Sequence, residues 1–83
     1  MVTSEDIIAL FDRAEIRVSK QGLRDDEPLV QQGFDSLDLV MLIHQVEVAF
    51  DIMIDTERAA RLRRLKDIVE LLNAEGVAAP ART

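Results

Sequence analysis

The chain has no cysteine, no tryptophan and no tyrosine, and its one histidine is His44. Without cysteine there can be no disulfide framework, no thiolate metal site and no thiol nucleophile of the chain's own. With Phe11, Phe34 and Phe50 as the whole aromatic inventory, the core has to be built from Leu, Ile, Val, Met and Ala. Positive charge is scarce as well: 10 Lys/Arg stand against 16 Asp/Glu, a net charge of −6. That sign argues against nucleic acid as a partner, because phosphate binding needs the opposite one. No charged-then-apolar leader opens the sequence and no apolar run approaches a bilayer span, so a soluble, cytoplasmic protein without a membrane span is expected.

What is present is one small domain. Eighty-three residues, 48% hydrophobic and 31% charged, suit a globular chain with a single modest core. We expect the domain over residues 1–76 and a frayed tail over 77–83, VAAPART, and a monomer. Charge is uneven. Residues 1–57 hold 13 acids against 4 bases, net −9, whereas residues 58–83 hold 6 bases against 3 acids, net +3. The acidic body should steer towards basic proteins. The basic cluster Arg58–Lys66 reads first as a solvated helical face, with docking as the alternative.

The hydrophobic pattern is helical throughout, and no stretch reads as a strand. Ile7, Leu10, Phe11, Ala14 and Val18 predict a first helix over about 4–18, with Thr3 and Asp6 as its capping pair. A 17-residue connection from Ser19 to Asp35 follows. A loop that long in so small a domain is usually functional or pinned to the core, and Leu23, Leu29, Val30 and Phe34 are the expected pins. The second helix, about Ser36 to Phe50, contains no Gly or Pro. It carries one apolar stripe (Leu39, Leu42, Ile43, Val46, Phe50) and an adjoining one (Leu37, Val40, Met41, His44, Val48). In a small domain both stripes cannot be buried, so the second is a candidate docking surface. A short helix is expected over about 56–62, capped by Asp55, and a last one over about 65–75, stopped by Gly76.

Metal sites are not supported. The window Asp35–Glu47 would need a glycine at its sixth residue to resemble a calcium loop and has Val40, and the run Asp25-Asp26-Glu27 leads into Pro28. His44 has only Glu47 as a possible co-ligand at helical spacing. Met41 and Met53 read as core or rim. The chain also lacks an acid–base or nucleophile pair, so it is not expected to be an enzyme.

The stretch Gly33-Phe34-Asp35-Ser36-Leu37-Asp38 remains. An Asp or Ser just before an apolar helix is what capping demands. A phosphate ester there would meet free backbone N–H groups and the positive end of the helix dipole. Asp35 and Asp38 would repel it unless a divalent cation or a basic partner intervened, which suits a site where a partner transfers a phosphate-linked group.

With the apolar helix ending Val46-Glu47-Val48-Ala49-Phe50-Asp51 and the following Ile52-Met53-Ile54-Asp55, this motif resembles the acyl carrier protein family over nearly the whole chain. The resemblance implies an all-α, right-handed four-helix bundle with a long first loop and a short third helix. It implies that Ser36 receives 4′-phosphopantetheine from coenzyme A, attached by a Mg²⁺-dependent phosphopantetheinyl transferase, and that acyl-processing enzymes such as synthases and acyltransferases then use the arm's thiol. Asp35 and Asp38 would flank the transferase's metal, the chain having no metal of its own. Leu37, Val40, Met41 and His44 would form the apolar side of the docking surface, and Glu47 and Asp51 its acidic rim. Two departures from the family pattern stand out: Gln32 where a leucine is usual, and Met41, His44, Gln45 and Val48 where the motif helix is usually acidic. They point to a specialised fatty acid, polyketide or unusual lipid pathway. The alternatives are a peptidyl or aminoacyl carrier domain, and an unmodified acidic interaction module in which Ser36 is only a cap.

Overall fold

In the computed structural model, which describes residues 1–77, the order is α1 (Ser4–Ile8), a 3₁₀ turn (Leu29–Gln32), α2 (Ser36–Phe50), α3 (Thr56–Ala59) and α4 (Leu65–Ala74). There is no strand among the described residues. Each helix start is held by an aspartate carboxylate. Asp6, Asp38 and Asp67 each occupy the third position of a helix and accept the backbone N–H three residues earlier, from Thr3 (2.9 Å), Asp35 (3.1 Å) and Arg64 (2.9 Å). For α3, Asp55 is itself the cap and accepts the Arg58 N–H at 2.8 Å. These bonds satisfy N–H groups that have no partner within a helix and set negative charge against the positive dipole end.

The first helix is shorter than its periodicity predicts. After Ile8 the hydrogen bonds tighten to three-residue spacing, Leu10 N–H to Ile7 O and Phe11 N–H to Ile8 O. The run then closes at Glu15, which adopts a left-handed φ of 58°. The Ile16 N–H reaches back to Phe11 O at 2.9 Å, a helix-terminating bond of the Schellman kind. Helical spacing over residues 4–14 is thus retained, but Val18 lies beyond the stop and approaches the backbone at Gly33 instead. The third helix is likewise shorter than expected. Ala60 and Arg61 continue from it as a turn, closed by the Leu62 N–H on Ala59 O. The fourth ends as expected, with Gly76 at φ 71° and the Val77 N–H on Leu72 O. Val77 is half-buried against the core, and the rest of the expected tail, residues 78–83, lies outside the described residues.

The core gathers side chains from every element except α3: Ile7 and Phe11, Leu29 and Phe34 of the connection, Leu42, Val46 and Phe50 of α2, and Leu65, Ile68 and Leu72 of α4. Burying each contributes roughly 1.5–3 kcal/mol before chain entropy is set against it. α1 packs on α4, and Asn73 of α4 holds Val2 by both backbone groups, accepting its N–H at 2.9 Å and donating to its carbonyl at 3.1 Å. No buried side-chain nitrogen or oxygen among the described residues lacks a partner.

The long connection is held in place by Gln32. Its amide accepts the Arg24 N–H at 2.7 Å and donates to the carbonyls of Arg24 and Glu27, both at 2.9 Å. Of the expected pins, Leu29 and Phe34 are buried and Leu23 is half-buried, but Val30 is exposed. Val30 follows Leu29 directly within the 3₁₀ turn and stays 55% exposed, lining a surface groove instead of the core.

Candidate functional site

The approach to Ser36 is fixed three residues before it. Gly33 has φ 104°, a conformation that side-chain-bearing residues rarely adopt, and this turns the chain from the 3₁₀ turn towards α2. The ring of Phe34 then packs edge-on against Phe11, with centroids 5.4 Å apart and planes at 73°. α2 therefore starts from a point anchored in the core.

Sequence reasoning expected Ser36 to cap this helix, but the cap is Asp35. Its Oδ1 accepts the Asp38 N–H at 2.8 Å, while Asp38 Oδ2 accepts the Asp35 N–H at 3.1 Å. Ser36 is the first residue inside the helix. It is exposed, and its hydroxyl makes no hydrogen bond to any described residue. The physical reason is spacing: with aspartates at the cap and three residues later, the reciprocal box is complete without the serine. An exposed, unengaged hydroxyl beside free backbone donators at a helix start is a group that another protein can reach and modify.

Ser36 opens onto a groove of about 600 Å³ between the 3₁₀ turn, α2 and the α3 segment. Its walls are apolar: Val30, Leu39, Val40, Ile43, Ala59 and Leu62. Polar groups are few, namely Ser36, Gln31, Thr56 and Arg63, and no acid lines it. Sequence reasoning did not find this groove. Ala59, Thr56 and Arg63 carry no periodic signal for it, because it exists only where segments far apart in sequence meet.

The other expected docking residues divide. Leu37, Val40 and Val48 are 66%, 63% and 61% exposed, and His44 and Asp51 are exposed too, whereas Met41 is half-buried. Glu47 is partly committed, since its Oε2 accepts the Ile54 N–H at 2.8 Å and so ties the 51–55 segment to α2. Asp35 is exposed and Asp38 half-buried, each with one carboxylate oxygen outside the reciprocal box. Among the described residues there is no cluster of three or more potential metal ligands, and no helix is long and apolar enough to cross a membrane.

In the basic cluster, Arg58 bonds Asp55, Glu75 and the Met53 carbonyl (2.8 Å to the last). Arg64 bonds Asp67 at 2.7 Å. The Asp67 carboxyl is held below the usual aspartate range, first by the Arg64 guanidinium and then by the N–H groups of Arg64 and Arg63. The Asp55 carboxyl is lowered chiefly by the Arg58 N–H.

Comparison with known proteins shows the family. A family profile described as "Phosphopantetheine attachment site" matches residues 5–72. An acyl carrier protein of Syntrophus aciditrophicus is 38% identical over 78 residues, 93% of this chain and 96% of the relative. One of Syntrophobacter fumaroxidans is 38% identical over 68 residues, 81% of this chain and 79% of the relative. No solved structure matches the chain significantly. The residues present fit a covalently held phosphopantetheine: a free hydroxyl at a helix start, and an apolar groove beside it with no acid to repel an anion. With a matched profile spanning most of the chain and two similar carriers, the chain belongs to the acyl carrier protein family, whose members carry 4′-phosphopantetheine.

Proposed function

We propose that Ser36 is the attachment point of the 4′-phosphopantetheine arm and that the chain serves a specialised acyl pathway as its carrier. The observation that carries the assignment is the division of labour at the start of α2, where Asp35 caps and Ser36 keeps a free, exposed hydroxyl. In the transfer from coenzyme A, Ser36 supplies the oxygen that forms the new bond to phosphorus, and 3′,5′-ADP leaves. The hydroxyl proton goes to a base of the transferase, since His44 lies two helical turns away and no other histidine exists in the chain. Asp35 and Asp38 each offer a carboxylate oxygen not used in the cap, on the side from which a transferase bearing Mg²⁺ and basic residues would approach. When bound, the arm supplies a thiol that holds acyl groups as thioesters, a thiol that the cysteine-free chain does not have.

Leu37, Val40 and Val48 give the contact surface for the transferase and the acyl-processing enzymes its apolar part. A motif helix so apolar on its exposed face supports dedicated partners, because hydrophobic complementarity takes the place of part of the acid–base pairing. The test is co-expression with a broad-specificity phosphopantetheinyl transferase followed by intact-mass measurement. A phosphopantetheinyl mass gain, absent in Ser36→Ala, is expected. No gain with several transferases would leave an unmodified interaction module instead. Loading by a housekeeping malonyl transferase as fast as that of the cell's main carrier would overturn the specialised assignment.

A further inference from the structure

The chain carries 16 acids, yet none lines the groove beside Ser36, and Arg63 is the one charged residue that does. Its backbone is fixed from three sides. The Arg63 carbonyl accepts the Leu29 N–H at 2.8 Å, which ties it to the 3₁₀ turn across the groove. Its own N–H lies 3.1 Å from Arg61 O and 3.2 Å from Asp67 Oδ2. Its side chain, by contrast, is exposed and makes no hydrogen bond or ion pair to any described residue. Its neighbours Arg58 and Arg64 are both engaged by acids. The groove thus has a firmly placed residue with an uncommitted guanidinium.

Resting on the assignment of the arm to Ser36, we infer that Arg63 is a positioning residue for that arm: its guanidinium pairs with the phosphodiester and holds the arm's first segment along the groove. A phosphodiester on Ser36 is an anion set beside two carboxylates, Asp35 and Asp38, and like charges push it away from the cap side. On the groove side it meets no acid and one free cation. Guanidinium is the group best suited to a phosphate, offering parallel N–H donors in a planar fork. The contact lies at the surface, so it weakens with salt. It biases where the arm rests without fixing it there, which is what a carrier needs if its partners are to draw the arm out.

The test uses holo protein made from coenzyme A, in native form and as Arg63→Gln and Arg63→Lys. Two signals are read: the ³¹P resonance of the phosphodiester, and the apo-to-holo amide shifts at Val30, Ala59 and Ala60. The side chain has no internal partner, so the apo spectra of the variants away from the groove should match the native one. We expect the ³¹P resonance of Arg63→Gln to move to that of a phosphopantetheinyl-serine peptide in the same buffer, and the groove amide shifts to fall at least about twofold. About 0.5 M NaCl should do the same to the native protein, and Arg63→Lys should keep part of both signals. Coincident ³¹P and groove amide signals in native and Arg63→Gln proteins would overturn the inference while leaving the Ser36 assignment intact. Absence of any phosphopantetheinyl mass gain on the native protein would instead remove the assignment, and the anchor with it.

Discussion

Asp35 and Asp38 cap one helix turn reciprocally, each carboxylate accepting the other residue's N–H, at 2.8 Å into Asp35 and 3.1 Å into Asp38. Ser36 sits between them and shares none of this work. Asp35→Ala should therefore destabilise the fold by about 1 kcal/mol, the usual cost of losing a helix cap. Ser36→Ala should stay within about 0.5 kcal/mol of native. Urea unfolding of the two apo variants measures both, and equal losses would mean that the serine shares the cap.

The exposed apolar face of α2 should matter to partners and not to stability. Leu37→Ala and Val48→Ala remove side chains that are 66% and 61% exposed, so unfolding midpoints should barely change. If these residues dock the transferase, each truncation costs about 1 kcal/mol of interaction, roughly a fivefold loss in kcat/KM for modification. A native rate in both variants would place the docking surface elsewhere.

Gln32 holds the long connection through Arg24 and Glu27. Gln32→Leu replaces three hydrogen bonds by an apolar side chain, and a loss of about 1–2 kcal/mol is expected because the bonds are largely solvent-exposed. The more telling readout is local. Amide exchange at Arg24 should quicken while exchange in α2 and α4 stays native. Uniform acceleration would show that the clasp supports the whole core and not the connection alone.

Acid stability should follow Asp67 and Asp55. Both carboxyls are held below the ordinary value, Asp67 mainly by the Arg64 guanidinium and Asp55 mainly by the Arg58 N–H. A lowered folded-state pKa gives stability that is fully present above the unfolded value of about 3.9 and is lost as pH falls through the lower folded one. Asp67→Asn should therefore be less stable at neutral pH and lose stability less steeply below about pH 4. Urea midpoints measured from neutral pH downwards give the comparison; parallel curves would contradict it.

The helices and most of the core were legible because Leu42, Val46 and Phe50, or Leu65, Ile68 and Leu72, repeat at helical spacing, and spacing is a local property. The aspartate at Asp55 was equally readable as a cap. What spacing could not give was the left-handed stop at Glu15, since nothing local distinguishes it from a helical residue until Ile16 folds back on Phe11. Val30 was expected as a pin for its apolarity alone, and apolarity does not say which of two adjacent residues, Leu29 or Val30, faces the core. The serine motif pointed to the candidate site, but the capping role went to the wrong neighbour: Asp35 and Ser36 are both good caps, and only the paired bonds with Asp38 decide between them. Arg63 read as one member of a solvated cluster, and its separation from Arg58 and Arg64 depends on which cations find an acid in three dimensions.

The clasp between Asn73 and Val2 joins residues 71 positions apart. Both ends of the described domain are thereby stitched at one seam, so that they could be joined there and the chain opened instead within the long connection. A circular permutant opened within residues 19–22 would keep the aspartate-capped start of α2 and the groove continuous, and would let the carrier be threaded into a larger protein through either side of its loop.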